Sequence, residues 1–124
     1  MKQIISTPNA PQAIGPYSQA VEANGFVFVS GQIPIVPATG QMPDGIEAQT
    51  EQVMRNIGAI LEAAGLTYSN VVKTTVLLKC IADFATMNGI YAKYFTADCP
   101  ARAAFEVSAL PKGALIEVEV IACK

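Results

Sequence analysis

The chain has 124 residues, enough for one domain with a core that needs neither disulfides nor a structural metal. Its net charge is −2, with eight Lys and Arg and no basic run, which excludes a surface that grips phosphates along a nucleic acid. Histidine is absent, which removes Ser-His-Asp and Cys-His catalysis and the common His-based metal sites.

The first residues, Met-Lys-Gln-Ile-Ile-Ser-Thr-Pro, lack the apolar core of a signal peptide and the Arg-rich character of a transit peptide, so a cytoplasmic protein is expected. Residues 2–6 and 19–23 are short strand candidates. Between them Pro8, Pro11, Gly15 and Pro16 enforce a loop. Tyr17 follows Gly-Pro, on a stiffened backbone. It either packs on its own loop or overhangs a pocket.

Phe26-Val27-Phe28-Val29 reads as a continuous apolar strand buried on both faces. It runs into Ser30-Gly31-Gln32. Gly31 either marks a bulge or turn, or lets a ligand approach its backbone N–H. Residues 34–45 hold three prolines and two glycines and are loop.

Asp44 and Glu47 have capping-box spacing, and a helix follows to about Ala64. Val53, Met54, Ile57, Ile60, Leu61 and Ala64 make one apolar stripe, and Gly65 suits the position just past the end. Val71–Cys80 is the next strand, with Val72, Thr74, Val76 and Leu78 on one face. Asp83 is placed to cap a second helix over about Phe84–Thr96. Its stripe is Phe84, Met87, Ile90, Tyr91, Tyr94 and Phe95, and Asn88 lies off it.

Pro100–Ala122 reads as two strands joined by Leu-Pro-Lys-Gly. Apolar residues alternate as Ala103, Phe105, Val107 and Ala109, then Ile116, Val118, Val120 and Ala122. The opposite face then carries Arg102, Ala104, Glu106 and Ser108, with Glu117 and Glu119. Those charges are either a solvated face with surface ion pairs or a site. Glu117, set between Ile116 and Val118, needs a partner or a task if it is partly buried.

The three cysteines, Cys80, Cys99 and Cys123, are widely spaced and read as small structural or edge thiols. No acidic cluster has the spacing of a metal site, so no metal or cofactor is expected. No apolar run is long enough to span a membrane, so neither membrane nor nucleic acid is an expected partner.

The order strand, helix, strand, helix, strand, strand predicts a single α/β (α+β) domain over residues 1–124. Right-handed crossovers in one direction put both helices on one face of a mixed sheet. The other sheet face is then bare, and the 52% hydrophobic share implies that another subunit covers it.

Five stretches together resemble the RidA/YjgF family, whose members hydrolyse reactive enamines and imines. They are Ala13-Ile14-Gly15-Pro16-Tyr17-Ser18-Gln19-Ala20, Ser30-Gly31-Gln32-Ile33-Pro34, Val71-Val72-Lys73-Thr74-Thr75-Val76, Pro100-Ala101-Arg102, and Leu110-Pro111-Lys112-Gly113 with Ile116-Glu117-Val118-Glu119. The resemblance covers nearly the whole chain in the same order. It implies a chorismate-mutase-like fold, a homotrimer and a ligand cleft between subunits.

It also implies roles. Arg102 matches the arginine that holds the substrate carboxylate, and Glu117 the acid that handles water or a proton. Tyr17, Ser30, Gly31 and Asn88 match pocket positions. Ala104 departs from the pattern, because many relatives carry cysteine there; backbone contacts at that position survive the change.

The expected reaction is hydrolysis of a 2-imino or enamino acid such as 2-aminoacrylate to a 2-keto acid and ammonia. An imine is already electrophilic, so a site without histidine suffices. The alternatives are a non-catalytic binder of small carboxylates and, more weakly, a translation inhibitor or ribonuclease. Counting along the strands puts Arg102 and Glu117 near opposite ends of the bare face, roughly 15–20 Å apart in one chain. One small substrate would therefore have to draw them from different subunits.

Overall fold

The computed structural model describes residues 1–124. Six strands form one sheet: β1 (Gln3–Ile5), β2 (Ala20–Ala23), β3 (Phe26–Gln32), β4 (Val71–Leu78), β5 (Ala101–Glu106) and β6 (Ile116–Cys123). Two helices, α1 (Ile46–Ala63) and α2 (Phe84–Tyr91), follow β3 and β4. The order across the sheet is β1-β2-β3-β6-β4-β5. β3 and β4 both pair antiparallel with β6, so they run parallel to each other with the last strand inserted between them. β5 lies parallel to β4 at the edge.

α1 forms because its apolar residues recur at helical spacing. Val53, Met54, Ile57, Ile60 and Leu61 are all fully buried. Its end follows the chemistry of Gly65, whose φ of +78° is cheap only for glycine. The N–H of Gly65 donates to the Glu62 carbonyl and that of Leu66 to the Leu61 carbonyl, at 2.9 and 2.8 Å. This is a Schellman closure, with Leu66 packed back into the core. The capping box at the other end does not form. Gly45 occupies the N-cap position, and no side chain caps the helix. Gln49 reaches back instead to the Pro43 carbonyl.

α2 is shorter than its stripe predicts. It stops at Tyr91 and passes into tight turns closed by Lys93 N–H to Ile90 and Tyr94 N–H to Tyr91. Asp83 makes no capping hydrogen bond.

The helices pack on one sheet face, as expected. Val27, Val29, Thr74, Val76, Leu78 and Val118 are among the side chains sealed beneath them. Three strand readings need correction. Phe26 and Phe28 are 41% and 46% exposed, so β3 is buried on one face and bare on the other within the chain. A register shift between Val71 and Lys73 turns Val71 inward and leaves Val72 exposed.

The third concerns β5. Its register sets Arg102 beside Thr74, Ala104 beside Val76 and Glu106 beside Leu78. Arg102, Ala104 and Glu106 therefore stand on the helix side, away from Glu117 and Glu119. Phe105 takes the bare face, 48% exposed. The physical reason lies in α2: its aromatic side chains fill the space over the start of β5, leaving room for the small Ala104 and none for Phe105.

Candidate functional site

Glu117 sits mid-sheet on the bare face, paired across β6 to Leu77 of β4. On its other side the β3–β6 register jumps from Val29↔Val120 to Gln32↔Val118. Ser30 and Gly31 thus form a bulge. Gly31 lets the Glu117 side chain lie directly against it, since a Cβ at that position would come within 2.9 Å of Glu117 Cδ and overlap the carboxylate. The bulge reading of Gly31 holds, and what lies against the glycine is the chain's own Glu117 side chain.

A cleft of about 330 Å³ opens here, lined by Tyr17, Gly31 and Glu117 with Ile14, Ile33 and Ile35. Buried, neutral amides hold its loops. Gln19 accepts from Thr7 N–H at 2.7 Å and donates to the carbonyls of Thr7, Ala10 and Pro11, which folds the loop bearing Ile14 and Tyr17. Asn56 donates to the carbonyls of Ile33 and Ile35. Gln49 accepts from Leu115 N–H at 2.8 Å, just beyond the Pro111–Gly113 turn. The Ser30 hydroxyl donates to the Ser18 carbonyl at 2.5 Å, which ties the bulge to the Tyr17 loop; Ser30 does not line the cleft.

The Glu117 carboxylate makes no hydrogen bond or ion pair within the chain. Partial burial, and then the nearby Glu119 carboxylate, raise its pKa above the usual carboxylate value. It is therefore a carboxylate that takes a proton more readily than most.

Arg102 occupies a different cleft, about 420 Å³, shared with Asn88, Tyr91, Phe95 and Cys99. Its Nη1 donates to Asn88 Oδ1 at 2.6 Å. Its Cζ lies 4.8 Å from the centre of the Tyr91 ring and 5.3 Å from that of Phe84. No carboxylate pairs with it; the chain's two salt bridges are Lys93–Glu51 and Lys124–Glu22. Glu106, two turns of pleat away, instead accepts from Ile81 N–H and ties β5 to the turn before α2. Ala104 packs towards the core and lines neither cleft.

The two clefts are separate. Arg102 aligns with Thr74 and Glu117 with Leu77, three residues apart along β4 and two strands apart across it. That places their backbones about 14 Å apart, with side chains on opposite faces of the sheet. The two residues do not sit at opposite ends of one face, roughly 15–20 Å apart, as strand counting predicts; a three-residue offset and opposite faces keep them apart instead. Tyr17, Gly31 and Glu117 come together, and so do Asn88 and Arg102. The signal for the second group was available: Phe84, Asn88 and Tyr91 recur at i, i+4 and i+7 and share one side of α2.

No group of three or more Cys, Asp or Glu side chains is placed to hold a metal ion, and the three cysteines are free. No helix is long and apolar enough to cross a membrane.

The family described as endoribonuclease L-PSP matches residues 7–124. A rat 2-iminobutanoate/2-iminopropanoate deaminase is 53% identical over 98% of this chain and 90% of its own. A Rid-family protein of unknown function from Yersinia pestis superposes with a TM-score of 0.98 at 53% identity, over 100% of both chains. TdcF of Escherichia coli, solved with bound serine, superposes with a TM-score of 0.95 at 42% identity over 98% of each chain. Full-length similarity at this level, together with a matching single-sheet fold, makes the chain a member of the RidA/YjgF family.

Proposed function

We propose that the protein is a cytoplasmic hydrolase of 2-imino and enamino acids, 2-aminoacrylate among them, and that it acts as a homotrimer of chorismate-mutase-like subunits. The observation that carries this reading is the division of the site. Glu117 and Arg102 are each built into a formed cleft without an ionic partner, yet on opposite faces of one sheet. A second copy packed head to tail, with its β5 edge and the Arg102 side of α2 turned to the bare face over Phe26 and Phe28, would cover apolar surface and bring its Arg102 towards Glu117. The relatives named as deaminases and the relative with bound serine support a small amino-acid-like ligand.

The chemistry follows from the groups. Arg102 presents a planar fork that receives the substrate carboxylate through two parallel hydrogen bonds. Water adds to C2 of the imine while the Glu117 carboxylate takes the water proton. That proton passes to nitrogen to give the carbinolamine; Glu117 then takes the hydroxyl proton and delivers it to nitrogen as the C=O bond forms and the C–N bond breaks. One water enters, and ammonia and a 2-keto acid leave. A raised pKa brings Glu117 nearer the working pH, which suits a group that must both accept and donate. Tyr17 closes the outer side of the cleft, and the Gly31 bulge keeps the carboxylate in place.

The test is the release of ammonia and 2-keto acid from imino acids generated in situ by an amino-acid oxidase. Decay at the spontaneous rate in the presence of the protein would sink the reading. That outcome would favour the alternative of a non-catalytic binder of small carboxylates, in keeping with the relative solved with bound serine. A ribonuclease reading has the family description in its favour, while the lack of histidine and of any basic run weighs against it.

A further inference from the structure

Arg102 is exposed, and a free arginine side chain samples many rotamers. Here it is confined on several sides. Asn88 accepts from one terminal nitrogen. The Tyr91 ring lies 4.8 Å from the guanidinium carbon, within cation–π range. Tyr91 is itself pinned. Its hydroxyl shares a 2.8 Å hydrogen bond with Thr74 Oγ1, and its ring packs 4.7 Å from Phe95. Thr74 is fully buried and is the β4 residue directly paired with Arg102. The threonine beside the arginine thus holds the ring that underlies the arginine's cation.

We propose that Tyr91, fixed by Thr74, is the positioning residue that presets the Arg102 guanidinium for a planar carboxylate. The ring underlies the guanidinium and Asn88 takes one of its N–H donors, which leaves the others for the ligand. Binding then immobilises little that is not already immobile. The inference rests on the reading that Arg102 receives the substrate carboxylate. A purely structural Thr74–Tyr91 bond would instead affect thermal stability and leave substrate affinity alone.

The experiment measures KM and kcat for imino-acid hydrolysis, calorimetric binding of 2-oxobutanoate, and thermal unfolding. The set is wild type, Tyr91→Leu, Tyr91→Phe, Thr74→Val and Arg102→Ala. Tyr91→Leu is expected to raise KM and the 2-oxobutanoate Kd roughly 5- to 20-fold with kcat within about twofold, since the interaction acts equally in ground and transition states. Tyr91→Phe and Thr74→Val keep the ring but free it, and should fall between wild type and Tyr91→Leu. Wild-type KM in both Tyr91→Leu and Thr74→Val, alongside a raised KM in Arg102→Ala, overturns the positioning role and leaves the carboxylate reading standing. Wild-type KM and Kd in Arg102→Ala overturn both. If Tyr91→Leu does not fold, the near-isosteric Thr74→Val decides: a raised KM supports the role and an unchanged one overturns it.

Discussion

The Glu117 cleft and the Arg102 cleft are built by different means. Around Glu117 the walls are loops, and buried neutral amides hold them: Gln19, Asn56 and Gln49, each 6% exposed or less. Around Arg102 the walls are one turn-spaced side of α2, and aromatic rings hold the cation. Each device suits its charge. Carboxamides fix loops without adding a charge that would neutralise or repel Glu117, so burial and Glu119 are left to set its proton affinity. Aromatic faces attract a guanidinium while leaving its edge donors open. Under the proposed function, the Glu117 half serves proton transfer and the Arg102 half serves grip. Substitutions on the two sides should therefore have different kinetic signatures.

The largest effect should come from Glu117→Gln. Loss of the proton-handling group should lower kcat roughly 10²- to 10⁴-fold, with 2-oxobutanoate binding largely kept. The same substitution should stabilise the fold at neutral pH. A carboxyl whose folded pKa is raised binds more protons folded than unfolded, so its ionisation works against folding as pH rises through the interval between the two values. The thermal advantage of Glu117→Gln should accordingly be present at pH 7 and vanish at acid pH, below the unfolded-state pKa. Wild-type turnover would reduce Glu117 to a structural residue; a loss of stability at pH 7 would mean that the carboxylate has a partner in the assembly.

Mixing separates the halves next. Arg102→Ala and Glu117→Gln, each nearly inactive alone, should regain activity when unfolded and refolded together. With random assembly and sites shared between subunits, about a quarter of the sites would be intact. No recovery, with mixed assembly verified by mass spectrometry, would place both residues of a working site in one chain.

Arg102→Lys is a gentler probe of the grip. The charge stays and the planar fork is lost, so substrate binding should weaken by about 1–3 kcal/mol, visible in KM more than in kcat. A fall in kcat at constant KM would move Arg102 into the chemical step and blur the distinction between the clefts.

Much of this arrangement is legible in the residues. The α1 stripe and Gly65 fix that helix and its end; Asn24-Gly25, both at positive φ in the β2–β3 hairpin, carry a turn signal absent from the expectations above. Glu117, set among apolar neighbours, advertises itself. What is not legible is parity. Alternation says which residues of a strand share a face, but only the neighbouring strand and the covering helix say which face that is. For β5 these are β4 and α2, the elements just before it, but how they lie on it is not written in β5 itself, and Phe105 as the largest apolar residue points to the wrong side. A bulge at Gly31 is one of the readings that glycine offers, whereas the shift at Val71–Lys73 is visible only against its partner strand. The insertion of β6 between β3 and β4 depends on long-range pairing that no local pattern encodes.

The smallest expected effect concerns Gly58, and its sign is the informative part. Glycine inside α1 normally costs about 1 kcal/mol relative to alanine, so Gly58→Ala should stabilise the protein on propensity alone. The structure argues the reverse. A Cβ at Gly58 would overlap the Tyr68 hydroxyl and lie 2.9 Å from its Cζ. That hydroxyl donates to the Met54 carbonyl at 2.6 Å. The ring cannot simply retreat, because it packs 5.1 Å from Tyr94 and edge-on to Phe95 at 5.9 Å. Phe95 in turn packs on Tyr91, the ring beneath Arg102. Overpacking of this kind typically costs 1–3 kcal/mol, so Gly58→Ala should lose about 1 kcal/mol net in urea unfolding. Tyr68→Phe in the same chain should remove the hydroxyl clash and make the double variant less unstable than the two single losses added together. A more stable Gly58→Ala would show that the aromatic cluster yields, and with it the rigid backing that sets the Arg102 side apart from the loop-built Glu117 side.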